Sequence, residues 1–284
     1  MSDILEWDKK LKRISVIVHG VKTMIYINES NSSKPIALFL HGIGGSHYGL
    51  TKLAKTMNDY QPILVDLPGH GNSDIPDWYD INNLRDWLTE LCELLGKKYG
   101  KLNVVITHSF GCYSVNPEQI QSKVIFICPV IKTSPFYELY AKVGQKLLSL
   151  NSFTKIYNSK RFSMLRGEVL LRKRSNSIRQ YVAEISSTES ATTRDQRRYQ
   201  AKLSCIKINN VFDNINPYLV IAGSMDGLTT DNTETNLKSI FKKSIVRMID
   251  GGHLLPIEAS DLVSGCIKNS IISTTKPAEE VVIK

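Results

Sequence analysis

Ser109 stands in Thr107-His108-Ser109-Phe110-Gly111, directly after the apolar run Val104-Val105-Ile106. A serine acts as a nucleophile when four conditions hold. Its oxygen projects from the backbone, a base takes its proton, an acid orients that base, and N–H donors meet the oxyanion. The sequence offers a candidate for each. Gly111 permits the close packing of a sharp strand-to-helix turn, although Thr107 occupies the first glycine position of the G-x-S-x-G elbow pattern. On this stretch alone, a nucleophile and a polar strand end explain the residues equally well. The turn His41-Gly42-Ile43-Gly44-Gly45-Ser46 can present backbone N–H groups to developing negative charge, with Ile43 and Phe110 as the candidate donors. Its glycine spacing fits neither a P-loop nor G-x-G-x-x-G. Asp226 and His253 each follow a later apolar run, giving the chain order Ser, Asp, His. Asp213 and Asp250 compete with Asp226 as the acid, while Asp231 reads as a helix N-cap. His41 and His70 belong to glycine turns and are expected to shape them. His108 is expected to point away from Ser109, and His19 and His47 show no partner pattern.

These residues need elements that bring strand ends to one edge. Apolar and β-prone runs predict strands over 15–20, 23–28, 36–42, 62–69, 103–109, 123–130, 218–223 and 244–252. Several are continuously apolar, as in a parallel sheet covered on both faces. The first two have little between them and predict an antiparallel hairpin at one edge. Helical spacing is read over 48–57, over 81–100 through Leu84, Trp87, Leu88 and Leu91, and over 257–273. Alternating strands and helices predict an α/β fold with right-handed crossovers. Sites in such sheets form at the C-terminal ends of the strands, where Ser109, Asp226, His253 and the turn 41–46 lie, whereas Asp213 precedes its strand.

Residues 132–202 interrupt the alternation and predict a helical insertion. One apolar stripe is Phe136, Tyr140, Val143 and Leu147; a second is Ile178, Tyr181, Val182 and Ile185. The insertion holds 15 Lys+Arg and 5 Asp+Glu, whereas the remaining chain holds 21 and 22, so the net charge of +9 resides in the insertion. The domain reading is therefore a core of 1–131 and 203–273, an inserted cap of 132–202, and a loose tail of 274–284.

Composition bounds the rest. The chain has 284 residues, 42% of them hydrophobic and 22% charged, as in globular proteins. No run reaches the roughly 18 apolar residues of a membrane span, and the N-terminus lacks a signal-peptide apolar region, so a cytoplasmic location is expected. The five cysteines form no C-x-x-C pair and predict buried free thiols in a reducing compartment. No metal-ligand spacing occurs among Cys and His, and neither a metal nor another cofactor is expected.

In "LFLHGIGGS", "ILVDLPGHGNSD", "VVITHSFG", "YLVIAGSMDG" and "MIDGGHLLPIE" the chain resembles the α/β-hydrolase superfamily, in that order and over nearly all of the sequence outside the insertion. The resemblance implies an eight-stranded, mostly parallel sheet flanked by helices, with 132–202 as a helical cap between strands six and seven. It implies Ser109 as nucleophile, His253 as base, Asp226 as acid, and the N–H groups of Ile43 and Phe110 as oxyanion hole. Two departures stand out. Thr107 replaces a glycine, and the helix after Ser109 is cut short by Asn116-Pro117. Dehalogenases and epoxide hydrolases of this fold resemble one another in using Asp at the elbow, so Ser109 argues against both.

The expected activity is that of a serine esterase or thioesterase. A C–C bond hydrolase or lyase with the same triad, and a ligand-binding receptor that keeps the fold, are the alternatives. Phe136, Tyr140 and Met164 could line an acyl pocket or pack the cap on the core. The basic cap suits a small anionic ester or thioester, an acyl-carrier protein, a CoA ester or lipid head groups at a membrane surface, against the plain alternative of a solvated helical face. No nucleic-acid module surrounds the charges.

Overall fold

The computed structural model describes residues 2–116, 118–132, 143, 170–172, 175–188, 192–206, 211–229 and 233–273. Strand β1 (Lys12–Val18) turns directly into β2 (Val21–Ile27). His19 and Gly20 between them both take left-handed backbone, with φ 48° and 74°. Two such residues make the tight turn whose twist matches an antiparallel hairpin. The hairpin forms one edge of an eight-stranded sheet with β3 (Ile36–Leu40), β4 (Gln61–Val65), β5 (Leu102–His108), β6 (Lys123–Ile127), β7 (Leu219–Gly223) and β8 (Ile245–Ile249). The strand order is β1-β2-β4-β3-β5-β6-β7-β8. β2 pairs antiparallel with β4, and every pairing from β4 to β8 is parallel. The parallel strands therefore all deliver their C-terminal ends to the same edge.

The continuous apolar runs have their predicted cause. Alternate strand residues feed opposite faces, and both faces are covered. Leu38, Leu40, Ile63 and Val105 pack with Leu84, Trp87, Leu88 and Leu91 of α3 (Ile81–Tyr99). Ala37, Phe39, Val104 and Ile106 pack with Leu50 and Leu53 of α2 (Tyr48–Thr56) and with Val263 and Ile267 of the last helix. The Trp87 indole, wholly buried, donates from Nε1 to Thr23 Oγ1 at 3.0 Å, so its one polar atom is satisfied.

Several expectations need correction. A helix α1 (Ser2–Lys9) precedes the sheet and carries no strong apolar stripe in the sequence. Of the insertion, α4 (Asn176–Thr188) and α5 (Arg194–Ser204) are described between β6 and β7. The second stripe, Ile178, Tyr181, Val182 and Ile185, is buried as expected. Of the first stripe only Val143 is described, and it is 45% exposed; Phe136, Tyr140 and Leu147 lie outside the described residues, as do Met164 and the tail. α6 (Glu234–Ile240) is capped by Thr233, whose side chain accepts from Asn236 N, not by Asp231. The single helix expected over 257–273 is two, α7 (Leu255–Glu258) and α8 (Ser260–Ser273), because Ala259 leaves helical backbone with φ −140°. All five cysteines are free thiols, but only Cys112 and Cys128 are buried as expected; Cys92 and Cys266 are half-buried and Cys205 is exposed. Among the described residues, no helix is long and apolar enough to cross a membrane.

Candidate active site

β5 ends at His108, and Ser109 then takes left-handed backbone with φ 54°. A non-glycine residue in this region is strained, and such strain persists only where the surroundings impose it. After it the chain runs as a 3-10 helix of six residues, Ser109–Ser114, which is the shortened element expected from the sequence. Of the two glycine positions of the elbow pattern, only the second is needed here. A Cβ on Gly111 would stand 2.6 Å from the His41 carbonyl oxygen and 3.0 Å from that of Leu40. Thr107 is wholly buried, and its hydroxyl lies 3.2 Å from Cys112 Sγ and 3.3 Å from the Ile125 carbonyl oxygen. The short 3-10 helix places Cys112 where it meets Thr107, so a β-branched residue fits the first position with its hydroxyl bonded.

The two partners come from the ends of β7 and β8. Asp226 sits in a tight turn closed by its own N–H on the Gly223 carbonyl at 3.2 Å. Its Oδ1 accepts from Leu228 N at 2.9 Å and its Oδ2 lies 2.8 Å from His253 Nδ1. On the far side of the ring, His253 Nε2 lies 2.8 Å from Ser109 Oγ. Burial pushes the Asp226 carboxyl up, but His253 overcomes this and holds it below the ordinary carboxylate value. An ionised Asp226 can only accept, so His253 carries its proton on Nδ1 and presents a bare Nε2 to the Ser109 hydroxyl. The loops carrying Asp226 and His253 touch through backbone: a Cβ on Gly223 would meet the Gly252 oxygen at 2.3 Å.

Residues from the insertion hold these loops. The Leu170 carbonyl accepts from His253 N at 3.3 Å, and Arg172 Nε donates to the Met225 carbonyl at 2.9 Å. Glu258 Oε2 receives both Gly252 N at 3.2 Å and Arg172 N at 3.0 Å. The contacts of Leu170 and Arg172 have no sequence signal, because each joins residues far apart in the chain. On the opposite side, α5 lies on the two glycine turns. Gln200 Nε2 donates to Gly69 O and Gln196 Nε2 to Gly71 O, each at 3.0 Å, while buried Arg197 reaches Gly44 O at 3.5 Å.

The turn 41–46 lies against Ser109. A Cβ on Gly42 would stand 2.9 Å from Ser109 Cβ and 3.3 Å from its Oγ. The N–H of Ile43 meets no backbone acceptor among the described residues, and Phe110 opens the 3-10 helix, where the first N–H groups have no partner within the helix. Gly42→Ala is expected to lower kcat about ten- to a hundredfold and to lower Tm as well, since both Ser109 and the buried His108 ring, whose Nδ1 would stand 3.3 Å from the added methyl, have to yield to it. Steady-state kinetics alongside thermal melts check this. His41 and His70 shape their turns as expected, His41 Nδ1 bonding Gly42 O at 2.7 Å and His70 Nδ1 bonding Pro68 O at 2.9 Å. His108 Nε2 donates to the His253 carbonyl at 2.9 Å and stays outside the relay; burial lowers its pKa to about 3, so it is neutral.

Although no metal-ligand spacing exists in the sequence, the fold gathers one group of side chains with metal-ligating atoms among the described residues. Those of His108, Cys128 and His253 lie within 4.8 Å of one another. Both ring nitrogens of His253 are already engaged by Asp226 and Ser109, so a metal there would have to break the relay. Neither Asp213 nor Asp250 takes the place of Asp226.

A sequence profile described as the alpha/beta hydrolase family matches residues 37–264. Solved structures share the fold at low identity. A putative lipase from Acinetobacter baumannii AYE is 18% identical, with a TM-score of 0.68, covering 97% of this chain and 96% of its own. A thermophilic esterase from Thermogutta terrifontis is 16% identical, with a TM-score of 0.70, covering 93% and 100%. A 2-hydroxy-6-oxo-6-phenylhexa-2,4-dienoate hydrolase from Rhodococcus sp. strain RHA1 is 15% identical, with a TM-score of 0.68, covering 92% and 99%. No curated protein matches the sequence significantly.

Proposed function

Because the chain belongs to the alpha/beta hydrolase family, we propose that it is a serine hydrolase cleaving a carboxylic ester or thioester through an acyl-enzyme on Ser109. The observation that carries this reading is the pair of 2.8 Å contacts on the buried His253 ring, one to Ser109 Oγ and one to Asp226 Oδ2. His253 Nε2 takes the Ser109 proton as the oxygen attacks the carbonyl carbon. Ionised Asp226 stabilises the imidazolium that forms, without itself taking a proton. The N–H groups of Ile43 and Phe110 face the oxyanion, and a single such donor is worth about 10²–10³ in kcat. His253 then gives its proton to the leaving oxygen or sulfur, and afterwards draws one from water to release the acid.

A fluorophosphonate probe tests the reading. Wild type is expected to be labelled once, on the peptide containing Ser109; absence of labelling, or labelling elsewhere, overturns it.

The positive charge of the insertion supports an anionic acyl substrate, such as a CoA or acyl-carrier thioester, since a concentrated positive field raises the local concentration of anions. On this account, kcat/KM for an anionic thioester falls about threefold or more between low and high salt, while a neutral short ester is little affected. Parallel salt titrations of the two substrates give the measurement, and equal responses argue against steering.

A further inference from the structure

His47 begins immediately after the turn 41–46 and precedes α2. It has no partner pattern in the sequence, yet its side chain is 1% exposed between two carboxylates from distant elements. Asp66, just past β4, accepts on Oδ1 from His47 N at 2.8 Å and faces His47 Nδ1 at 3.1 Å. Asp8 of α1 brings Oδ1 to 3.2 Å from Nε2, an ion pair off the line of a hydrogen bond. Tyr26 of β2 stacks on the ring at 3.5 Å, and Tyr48 lies against it at 4.1 Å. The other Asp66 oxygen accepts from Tyr26 OH at 2.7 Å and Asn72 N at 2.9 Å. A Cβ on Gly71, whose φ is 52°, would meet that oxygen at 2.2 Å, so the second glycine turn closes directly over the carboxylate.

Asp66 thus ties two turns together. Through His47 it fixes the end of the turn carrying Ile43; through Asn72 it fixes the turn over 66–74. Asp8 adds the N-terminal helix to this assembly. A buried cation flanked by two buried anions is stable as a set, and removing one member leaves uncompensated charge.

We infer that Asp8 and His47 are positioning residues for the oxyanion hole: α1, through the buried Asp8–His47–Asp66 chain, holds the turn that aims the Ile43 N–H at Ser109. The inference rests on the serine-hydrolase reading of that site.

The chain also sets a pH range. Burial alone would lower the His47 pKa, but Asp66 and Asp8 overcome it and raise the value to about 9. The charged and titratable groups facing the ring are Asp66, Asp8, Tyr26 and Tyr48, with His41 on the oxyanion turn and Arg13, which reaches Asp8 at 3.6 Å. A raised histidine contributes fully below its unfolded pKa of about 6.5, and the contribution is lost as pH rises through the folded value. A fall in rate on the alkaline side, near pH 9, is the signature of His47.

The test measures kcat and KM from pH 6 to 11 for wild type, Asp8→Asn, Asp8→Glu and His47→Gln, with melts and fluorophosphonate labelling rates beside them. Asp8→Asn is expected to lower kcat about tenfold, to leave KM within about twofold, and to shift the alkaline limb down by about one pH unit; Asp8→Glu is expected to recover part of both. Should Asp8→Asn fail to fold, the imidazole carbons of wild-type histidines, followed by NMR, decide instead: one buried ring is expected to titrate near pH 9, and a His47 ring already neutral at pH 7 overturns the inference. Normal labelling of wild type with an unchanged alkaline limb in both Asp8→Asn and His47→Gln overturns the inference alone. A wild type that is not labelled overturns the serine-hydrolase reading and the inference with it.

Discussion

Ser109→Ala is expected to lower kcat on the order of 10⁶-fold and to abolish fluorophosphonate labelling, because the other members of a triad contribute almost nothing once the attacking oxygen is gone. The backbone permits a control that separates chemistry from folding. Ser109 sits at φ 54°, where an L-residue costs about 1–2 kcal/mol and glycine pays little of it. Ser109→Gly is therefore expected to be as inactive as Ser109→Ala yet about 1 kcal/mol more stable, a difference of a few degrees in Tm for a chain of this size. Paired activity assays and melts of the two variants check both statements. Retained activity in either would remove Ser109 from the mechanism, and a less stable glycine variant would contradict the strain at the elbow.

Asp226→Asn is expected to cost about 10⁴-fold in kcat while leaving KM nearly unchanged. Asparagine fills the same volume and keeps an oxygen for Leu228 N. It can, however, donate an N–H to His253 Nδ1, which a carboxylate cannot. The ring then carries its proton on Nε2, facing Ser109, and can no longer act as its base. The imidazolium formed in the transition state also loses its counter-charge. The wild-type pH dependence follows from the same pair. Asp226 is held below the ordinary carboxylate value, so its stabilising contact is complete above that ordinary value and lost as pH falls through the lowered one. Activity and stability should therefore both decline in strong acid, and Asp226→Asn should remove this share of the acid sensitivity. Kinetics and melts over pH 3 to 8 measure it; a variant that keeps wild-type kcat would exclude Asp226 from the relay.

The parts of the molecule that were legible in sequence are those written in local pattern. Eight apolar runs became eight strands, since a strand buried on both faces admits little else. The edge hairpin was equally local. Ser109, Asp226 and His253 could be placed near one edge because each follows a strand, and the fold brings them into contact. What the sequence concealed depends on partners far away. His47 looked unpartnered because Asp8 lies 39 residues before it and Asp66 lies 19 after it. α1 was missed because its apolar contacts are few, with Ile4 and Trp7 only partly buried, and because its buried Asp8 finds its partner far along the chain. Thr107 was unreadable for a similar reason: its companion Cys112 is useful only because the following helix is short and tight.

The strand of insertion that crosses the catalytic loops bears on how such a protein can be re-engineered. Leu170 O anchors the backbone of His253, and Arg172 anchors both Met225, next to Asp226, and Glu258. The insertion is therefore no cassette. Excising it whole, or exchanging it with that of a relative at the borders of the insertion, strips three anchors from the acid and base loops even though no triad residue is touched. A graft that leaves 170–172 with the host and trades only the rest of the insertion keeps these three anchors in place.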